Sequence, residues 1–533
     1  MKRVLVANRG EIALRVFRAC REEGIETVAV VAPDDAGSLH ARSAGTTVGI
    51  ASYLDAAEHV RAARESGADA VHPGYGFLAE SAELAEAVLA AGLTWIGPPP
   101  AALRAGGDKL AAKETARAAG VPVLPTGTPE EIGFPLLVKA AAGGGGRGMR
   151  VVRDPSELEE AVEAARREAK SAFGDDTVFF ERYLERPRHV EIQLLADRHG
   201  TVVSLGERDC SLQRRHQKVL EEAPSPAVGP DLRAQMGDAA VAFARAIGYE
   251  SAGTAEFVLD GSTFFFLELN ARIQVEHPVT ELVTGIDLVR EQLGIARGER
   301  LDVRPRIHGH AVEVRLYAED PKTFLPQAGA IERLHLPGSI RVDAGVAEGD
   351  EVGTAYDPMI AKLVAHGATR GEALDRLAAA LRETEVGGVT TNLPFLRWLV
   401  AQPVLRAGAA TTAFLTEHPP LSVPVPAPRG AWAGAWRLNL PAPAPAPVPD
   451  ADAAAEHTGG AEQSTLAAPM PGTVLKVLVA AGDAVAARQP LVVLEAMKME
   501  TPLVSPYDAT VRAVHVAEGD RVAGGTVLVE LEE

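Results

Sequence analysis

Apolar runs alternate with stretches of helical spacing in the first part of the chain. The runs that predict strands are 4–7, 28–32, 70–72 and 95–97. The stretches that predict helices are 12–23, 55–66 and 82–91. Such alternation is typical of a parallel sheet of Rossmann type. No GxGxxG motif follows the first strand, so the pattern does not indicate a dinucleotide site.

A second region begins near residue 107 and a third near residue 304. Asp108 can cap a helix over 109–119, which Gly120 and Pro122 would end. The second region continues to about residue 303 and holds most of the candidate chemistry. The third, 304–416, is predicted to contain strands and two helices.

The composition changes at residue 417. Residues 417–465 are rich in Pro and Ala without periodicity, which predicts an extended, semi-rigid linker. Residues 466–533 contain an internal repeat, because 473–494 overlays 510–531 when shifted by 37 positions. Gly482 and Asp483 then match Gly519 and Asp520. Two similar β halves predict a small pseudo-twofold sandwich.

The overall composition excludes several classes of function. The chain has 53 Lys and Arg against 72 Asp and Glu, a net charge of −19, which disfavours nonspecific binding to nucleic acid or anionic membranes. Apolar residues make up 47%, enough for packed cores, but no run is long enough to span a membrane. Cys20 and Cys210 stand alone, so neither a disulfide framework nor a structural zinc site is expected. Without a signal-peptide pattern, a cytoplasmic location is expected.

The first chemical motif joins the two halves of the repeat. The sequence EAMKME at 495–500 places Lys498 at a predicted hairpin turn between two Met residues. A solvated loop lysine is the plain alternative. On a compact domain with a long tether, the same lysine suits a covalent carrier.

A glycine-rich segment, KAAAGGGGRGM at 139–149, follows a predicted strand. Glycines allow backbone N–H groups to approach phosphate oxygens closely. Because Lys139 precedes the glycines, the segment is neither a Walker A motif nor a kinase loop. A flexible hairpin loop is an equally open interpretation of the glycines alone.

An acidic hairpin is predicted at 254–270, TAEFVLDGSTFFFLELN. With a three-residue loop at the Asp260-Gly261 turn, Glu256 lies opposite Glu268. The pair and Asn270 offer oxygen ligands that suit Mg²⁺ or Mn²⁺. A solvent-facing pair on an edge hairpin is the alternative, and a one-residue slip in register would produce it.

Two polar segments flank this hairpin. NARIQVEHP at 270–278 places a cation, Arg272, and a carboxylate, Glu276, just after the second strand of the acidic hairpin. ERDCSLQRRHQK at 207–218 is too polar for a core strand, although a solvated face would also explain it. Nothing in that motif requires a thiol, so Cys210 is not expected to be a nucleophile.

Together these motifs resemble biotin carboxylase over 1–416 and the biotin carboxyl carrier domain over 466–533, as in the α subunit of acyl-CoA carboxylases of the acetyl-/propionyl-CoA type. The resemblance implies an α/β plus all-β fold, with a Rossmann-like N-terminal domain, an ATP-grasp domain, a mixed C-terminal domain and a β-sandwich biotinyl domain. Its boundaries are 1–106, 107–303, 304–416, 417–465 for the linker, and 466–533. The family normally has Thr where Ala271 stands, and the segment 120–134 is shorter here.

The resemblance also implies residue roles. The catalytic residues are Arg272, Glu276, Lys218 and Arg341. Contacts with ATP come from Lys109, Lys139, Gly145, Gly146, Met149, Glu181, Tyr183, Leu184, His189, Gln213 and His216. Gln274 and Val275 bind bicarbonate, Glu256, Glu268 and Asn270 bind the metal, and Lys498 carries biotin.

The implied reaction is carboxylation of biotin on the chain's own carrier, with ATP and Mg²⁺ or Mn²⁺. A separate carboxyltransferase β subunit would pass the carboxyl group to an acyl-CoA, and a biotin protein ligase would attach the biotin. A homo-oligomer within a larger α/β complex is expected. Two other classes stay open: a different ATP-grasp ligase with an unrelated β module, and a noncatalytic carrier or scaffold. Pyruvate and urea carboxylases fit poorly, because they usually carry their transferase domains on one longer chain.

Overall fold

The structure is a computed structural model that describes residues 1–141, 149–214, 217–353, 355–422, 465–468, 472–496, 499–522 and 525–532. The chain divides into two compact units. The first comprises Met1–Phe324, Gly329–Val352 and Met359–Leu421, and the second includes the described residues from 465 onward. In the described ranges, no helix is both long enough and apolar enough to cross a membrane.

The N-terminal part of the first unit is a five-stranded parallel sheet in the order β3-β2-β1-β4-β5. Its strands are β1 Arg3–Val6, β2 Glu26–Val31, β3 Thr46–Gly49, β4 Ala70–His72 and β5 Thr94–Trp95. Its helices are α1 Gly10–Glu22, α2 Leu39–Ser43, α3 Ala56–Ser66, α4 Ala82–Ala90 and α5 Pro100–Gly107. The alternation predicted from the sequence is confirmed, with small shifts at the ends of elements.

A four-stranded antiparallel sheet, in the order β6-β9-β7-β8, follows. Its strands are β6 Thr126–Gly127, β7 Leu136–Ala140, β8 Met149–Val152 and β9 Val178–Arg182, and its helices are α6 Lys109–Ala118, α7 Pro129–Ile132 and α8 Leu158–Phe173. The side chain of Asp108 accepts hydrogen bonds from the N–H groups of Leu110 and Ala111. The predicted cap of this helix is therefore confirmed.

An eight-stranded antiparallel sheet runs through both the second and the third region, in the order β14-β13-β10-β11-β12-β15-β20-β18. Its strands are β10 Arg188–Ala196, β11 Val202–Arg214, β12 Gln217–Ala223, β13 Ser251–Asp260, β14 Thr263–Asn270, β15 His310–Tyr317, β18 Arg341–Ala344 and β20 Met359–Gly367. Two short pairs complete the strands: β16 Gly329–Ala330 with β19 Glu351–Val352, and β17 Arg333–His335 with β21 Glu385–Gly387.

Helices cover both faces of this large sheet. They are α9 Pro230–Ala246, α10 His277–Thr284, α11 Leu288–Arg297, α12 Arg370–Glu383, α13 Leu393–Val400, α14 Pro403–Arg406 and α15 Phe414–Glu417. Helix α10 packs on Ala311 and Val364, whereas α12 packs on Val312 and Val314. Since successive side chains of a strand alternate between faces, α10 and α12 lie on opposite sides of β15. The described part of the third region has four helices rather than two, because two four-residue helices follow the two longer ones.

From residue 465 onward, the second unit forms two four-stranded sheets with equivalent orders, β22-β29-β27-β24 and β26-β25-β23-β28. The strands are β22 Thr465–Ala467, β23 Gly472–Val477, β24 Ala484–Val485, β25 Pro490–Ala496, β26 Met499–Val504, β27 Ala509–Val514, β28 Arg521–Val522 and β29 Val527–Glu532. Gly482 and Gly519 have φ angles of +96° and +93° and each donates a 2.7 Å hydrogen bond across the sandwich, to Val511 and Val474. The predicted repeat is therefore confirmed.

Candidate active site

The acidic hairpin consists of β13 and β14. A two-residue turn, Gly261 and Ser262, joins the strands, so the predicted three-residue loop is wrong. A register shift at Leu267 then adds one residue to β14 and places Glu256 opposite Glu268. The predicted pairing is confirmed because the bulge compensates for the shorter turn.

The oxygens of this hairpin face cations. Glu256 is buried on the second strand of the sheet, which excludes a fully solvent-facing pair. Its Oε1 accepts hydrogen bonds from Lys218 Nζ at 2.9 Å and Gln274 Nε2 at 3.1 Å. Glu268 Oε2 lies 3.4 Å from Lys109 Nζ. Two opposed carboxylates and the amide oxygen of Asn270 form a donor set that fits a hard divalent cation.

Lys218 links three carboxylates. Its Nζ donates to Glu191 Oε2 at 2.5 Å, Glu256 Oε1 at 2.9 Å and Glu276 Oε1 at 2.6 Å. Burial disfavours the charged ammonium, but the three carboxylates outweigh burial and raise the pKa of Lys218 well above its usual range. Lys218 therefore connects Glu256, a predicted metal ligand, to Glu276, the carboxylate predicted to act as a base.

Arg208, which the sequence did not single out, lies beneath this cluster with no exposed surface. It donates to Glu191 Oε1 at 2.5 Å and to Gln274 Oε1 at 2.9 Å. Three further acceptors, Gln193, Thr254 and Thr280, complete its set. Arg208 thus fixes Gln274, which is predicted to bind bicarbonate. The signal in the sequence was its place in the polar segment 207–218.

Glu276 immediately precedes α10 and is buried. Its second oxygen, Oε2, accepts a 3.0 Å hydrogen bond from Arg315 Nη2. Burial favours the neutral acid, but the ammonium of Lys218 and the guanidinium of Arg315 outweigh it and hold the pKa of Glu276 well below its usual range. The group is a carboxylate at neutral pH and is therefore able to accept a proton.

His189 and Gln213 form a hydrogen-bonded pair beside Glu256. Gln213 Nε2 donates to the carbonyl of Cys210 at 2.9 Å and lies 2.8 Å from His189 Nδ1. His189 Nε2 lies 2.9 Å from Glu256 Oε2, at ion-pair distance but without hydrogen-bond alignment. Burial raises the pKa of the Cys210 thiol well above its usual value, which agrees with the expectation that it is not a nucleophile.

Two lysines, one on α6 and one on β7 of the four-stranded sheet, contact the same carboxylate. Lys139 Nζ donates to Glu181 Oε2 at 3.0 Å, and Lys113 contacts the other oxygen of Glu181. Lys113 was not predicted, although it lies one helical turn after Lys109. Met149 pairs with Lys139 across β7 and β8, and Tyr183 and Leu184 follow β9. Burial lowers the pKa of Lys113 to about 6 and that of Lys139 to about 8, and a bound polyphosphate would favour the charged form of both amines.

Arg341 and Arg272 each bind carboxylates outside the Lys218 cluster. Arg341 Nη1 donates to Glu281 Oε2 at 2.7 Å, and its Nη2 donates to Asp343 Oδ2 at 2.8 Å. Arg272 Nε donates to Glu80 Oε2 at 3.0 Å.

Two further contacts join these groups to the rest of the site. Arg272 Nη2 donates to Asn270 Oδ1 at 2.7 Å, which connects it to the acidic hairpin. Lys362 Nζ donates to the carbonyl of Val275 at 2.9 Å and lies 4.0 Å from Asp343, the partner of Arg341. The structure thus connects Arg341 to the site indirectly, through Asp343 and Lys362.

Four predicted residues lie outside the described ranges: Gly145, Gly146, His216 and Lys498. The register of β25 and β26 pairs Ala496 with Met499, the residues that flank Met497 and Lys498 in the sequence. Of the other predicted residues, direct contacts join Lys218, Glu256, Gln274, Glu276, His189 and Gln213.

Four family models match the chain in order. They are "Biotin carboxylase, N-terminal domain" over 1–103, "Carbamoyl-phosphate synthase L chain, ATP binding domain" over 108–304, "Biotin carboxylase C-terminal domain" over 313–417 and "Biotin-requiring enzyme" over 464–531. The fold and these matches define an ATP-dependent ligase with an ATP-grasp domain and a C-terminal biotinyl domain.

Similar proteins identify the family more closely. Biotin carboxylase of Halalkalibacterium halodurans is 47% identical over 441 residues, which is 78% of this chain and 98% of the relative. The chain belongs to the biotin carboxylase family. The α subunit of mitochondrial methylcrotonoyl-CoA carboxylase from Oryza sativa is also 47% identical over 78% of this chain, which covers 60% of that relative. One pyruvate carboxylase subunit, from Methanothermobacter thermautotrophicus, is 47% identical over 78% of this chain, with 90% of it covered.

A solved structure agrees with these relatives. The biotin carboxylase domain dimer of Hydrogenobacter thermophilus 2-oxoglutarate carboxylase, in complex with MgADP, ADP and bicarbonate, has a TM-score of 0.77 and 44% identity. The match covers 78% of this chain and 98% of that one.

Proposed function

We propose that the chain carboxylates biotin on its own carrier domain with ATP and bicarbonate, as the α subunit of a two-component carboxylase. The observation that carries the proposal is the contact of Lys218 with both Glu256 and Glu276. The partly buried ammonium of Lys218 thereby holds Glu256, a proposed metal ligand, close to Glu276, the proposed base. The chain's similarity to biotin carboxylases over nearly their whole length supports the same conclusion.

Lys109 and Lys139 bind the triphosphate, since phosphoryl transfer depends on positioning and charge neutralisation. Glu256, Glu268 and Asn270 would hold Mg²⁺ or Mn²⁺, which when bound neutralises charge on the phosphates. Further ATP contacts are proposed from two parts of the chain. Those in or next to the segment 139–184 are Gly145, Gly146, Met149, Glu181, Tyr183 and Leu184. Those in the segment 189–216 are His189, Gln213 and His216.

Arg272, Lys218, Gln274 and Val275 orient bicarbonate. Glu276 accepts the bicarbonate proton, and the resulting oxygen attacks the γ-phosphorus, with ADP as the leaving group. The carboxyphosphate so formed decomposes to CO₂ and phosphate. Gln274 and Glu276 are buried, and Arg272 and Lys218 are partly buried, so limited access of water strengthens their charge interactions.

Biotin attached to Lys498 would supply the ureido nitrogen that receives CO₂. Arg341 stabilises the negative charge that develops on the ureido oxygen when that nitrogen gives its proton to the phosphate released with CO₂. Its own pKa is raised, because Asp343 and Glu281 outweigh the effect of burial, so it stays cationic throughout.

The acceptor class is the finer part of the proposal. An acyl-CoA is proposed, in line with the relative from methylcrotonoyl-CoA carboxylase. However, the relative from pyruvate carboxylase, of which this chain covers 90%, removes the chain-length argument against 2-oxo acids. The proposed partners are a second copy of the chain, a biotin protein ligase and a separate carboxyltransferase β subunit. The proposed location is the cytoplasm.

The test uses the biotinylated full chain purified with the proteins that accompany it. ATP and labelled bicarbonate are supplied with a panel of acyl-CoAs and, separately, pyruvate and 2-oxoglutarate. Label in one acyl-CoA would establish the proposal and identify the acceptor. Label only in a 2-oxo acid would overturn the acyl-CoA assignment, and absence of label from protein-bound biotin would overturn the proposed function.

A further inference from the structure

Two carboxyl side chains that the proposed mechanism does not use oppose one another behind Glu276. Register pairs Glu221 on β12 with Glu313 on β15, and neither residue has any exposed surface. Side chains opposed in this way have Cβ atoms about 4.5–5.5 Å apart. Among the described residues, none of the four carboxyl oxygens has a hydrogen-bond partner.

The surroundings of the pair supply two cations. Arg315 contacts Glu221 Oε1 and also donates to Glu276 Oε2 at 3.0 Å. Lys362 pairs with Arg315 in register, and its Nζ lies 3.1 Å from Glu11 Oε1. Other titratable groups on this face of the sheet include Arg208, Glu191, Cys210 and Lys218 near Glu276, Arg341 and Asp343 on β18, and His277 and Glu281 on α10.

The charge balance does not accommodate two carboxylates. Arg315 is already matched by Glu276, and Lys362 is matched by Glu11. Ionising both Glu221 and Glu313 would place two adjacent, dehydrated negative charges in the core, which is costly. Burial is the main reason that the pKa of each carboxyl lies above its usual value, and proximity to Glu276 raises both further. With Arg315 and Lys362 alongside, a metal ion between the two carboxyls would add surplus positive charge.

We propose that Glu221 and Glu313 share one proton, so that a single negative charge faces Arg315 and sets how strongly Arg315 holds Glu276. The shared O–H···O contact would also give each carboxyl the hydrogen bond that it lacks. Both are positioning residues, since neither touches substrate. The effect on turnover rests on the proposed role of Glu276, but the proton count does not.

The first measurement is infrared spectroscopy of the holoenzyme at neutral pH. A protonated carboxyl C=O band that shifts in D₂O and is lost in both Glu313→Gln and the double variant Glu221→Gln/Glu313→Gln is expected. A spectrum without such a band would overturn the proposal. Because this readout needs no turnover, it stands even if the proposed function fails.

Kinetics provide a second, independent test. Each single Gln variant keeps one negative charge on the pair, so kcat for bicarbonate-dependent ATP hydrolysis should fall by no more than about threefold. The double variant loses that charge, and kcat should fall about thirtyfold at an unchanged KM for ATP, far more than the product of the single effects. The control is Glu222→Gln, a neighbouring carboxylate on the opposite face that pairs with Arg370 and His310. If the fall in kcat of the double variant equals the product of the falls in the two single variants, the proposal is overturned.

Discussion

The interiors of the two units differ in kind. In the first unit, buried charged side chains form a connected network around Arg208, Lys218 and Glu276. In the described part of the second unit from residue 465 onward, Ser505 is the one buried polar side chain, and the core consists of Val, Leu and Ala. Both interiors are closely packed, but only the first retains charges that cost free energy to bury.

The difference separates two tasks. Chemistry on phosphate and bicarbonate requires fixed charges in a site from which water is excluded. This requirement explains why the first unit contains buried charged side chains despite their free-energy cost. A carrier needs only a stable body for one reactive group, so its core can be entirely apolar. A variant of the reactive group in the second unit should therefore change function without changing stability. A variant of the charged network in the first unit should change both.

The largest effect is expected at the carrier. Lys498→Arg keeps the positive charge but removes the amine to which biotin is proposed to be attached, so labelled bicarbonate should no longer be fixed on the protein at all. ATP hydrolysis with added free biotin should stay within about twofold of the original chain, because the first unit is unchanged. Lys476→Arg, an exposed lysine on the same unit, is the control. Residual protein-bound label would contradict the assignment.

Arg272→Ala should be nearly as severe. It removes the cation proposed to hold bicarbonate, and bicarbonate-dependent ATP turnover should fall about a hundredfold to a thousandfold, the scale associated with losing an electrostatic group in a preorganised site. The matched control is Arg290→Ala, an arginine of the same unit whose side chain pairs with Glu23 at the surface. Near-normal turnover by Arg272→Ala would refute the role given to this residue.

The same contrast explains what the sequence could reveal. The apolar repeat of the second unit was visible because its strands follow a simple pattern, and Gly482 and Gly519 mark equivalent turns. The motif residues of the first unit were found because chemistry confines them to short segments. The hairpin showed the limit: the pairing of Glu256 with Glu268 was predicted, but a bulge at Leu267 is a local irregularity that no periodicity encodes.

The residues that were missed share one physical property. Each pairs with a carboxylate that is distant in sequence, as the ion pairs of Arg208, Lys113, Arg315 and Lys362 show. Their partners come together only in the folded sheet. A charged residue in an apolar strand indicates a buried ion pair, but without the register of the strands the sequence cannot indicate with which partner.

A third variant tests the cost of the charged interior. Arg208→Met leaves Glu191 Oε1 and Gln274 Oε1 without their arginine donor, and the first unit should lose about 3–5 kcal/mol of stability. Calorimetry should show its transition lowered while the transition of the second unit is unchanged. Arg153→Met, which breaks an exposed pair with Glu185, should cost less than about 1 kcal/mol. Equal costs for the two variants would remove the distinction between the interiors.

The smallest effect is a pH dependence that the carrier's apolar core should not show. Burial lowers the pKa of Lys139 to about 8, so the amine is charged below that pH and neutral above it. Because a polyphosphate binds the charged form, the Kd for ATP should rise as pH increases from 7 to 9.5, approaching tenfold for each pH unit beyond the pKa. Lys139→Arg keeps its charge throughout this range and should give a flat profile. If the variant keeps the original slope, the titrating group is not Lys139, and its place at the triphosphate would have to be given up.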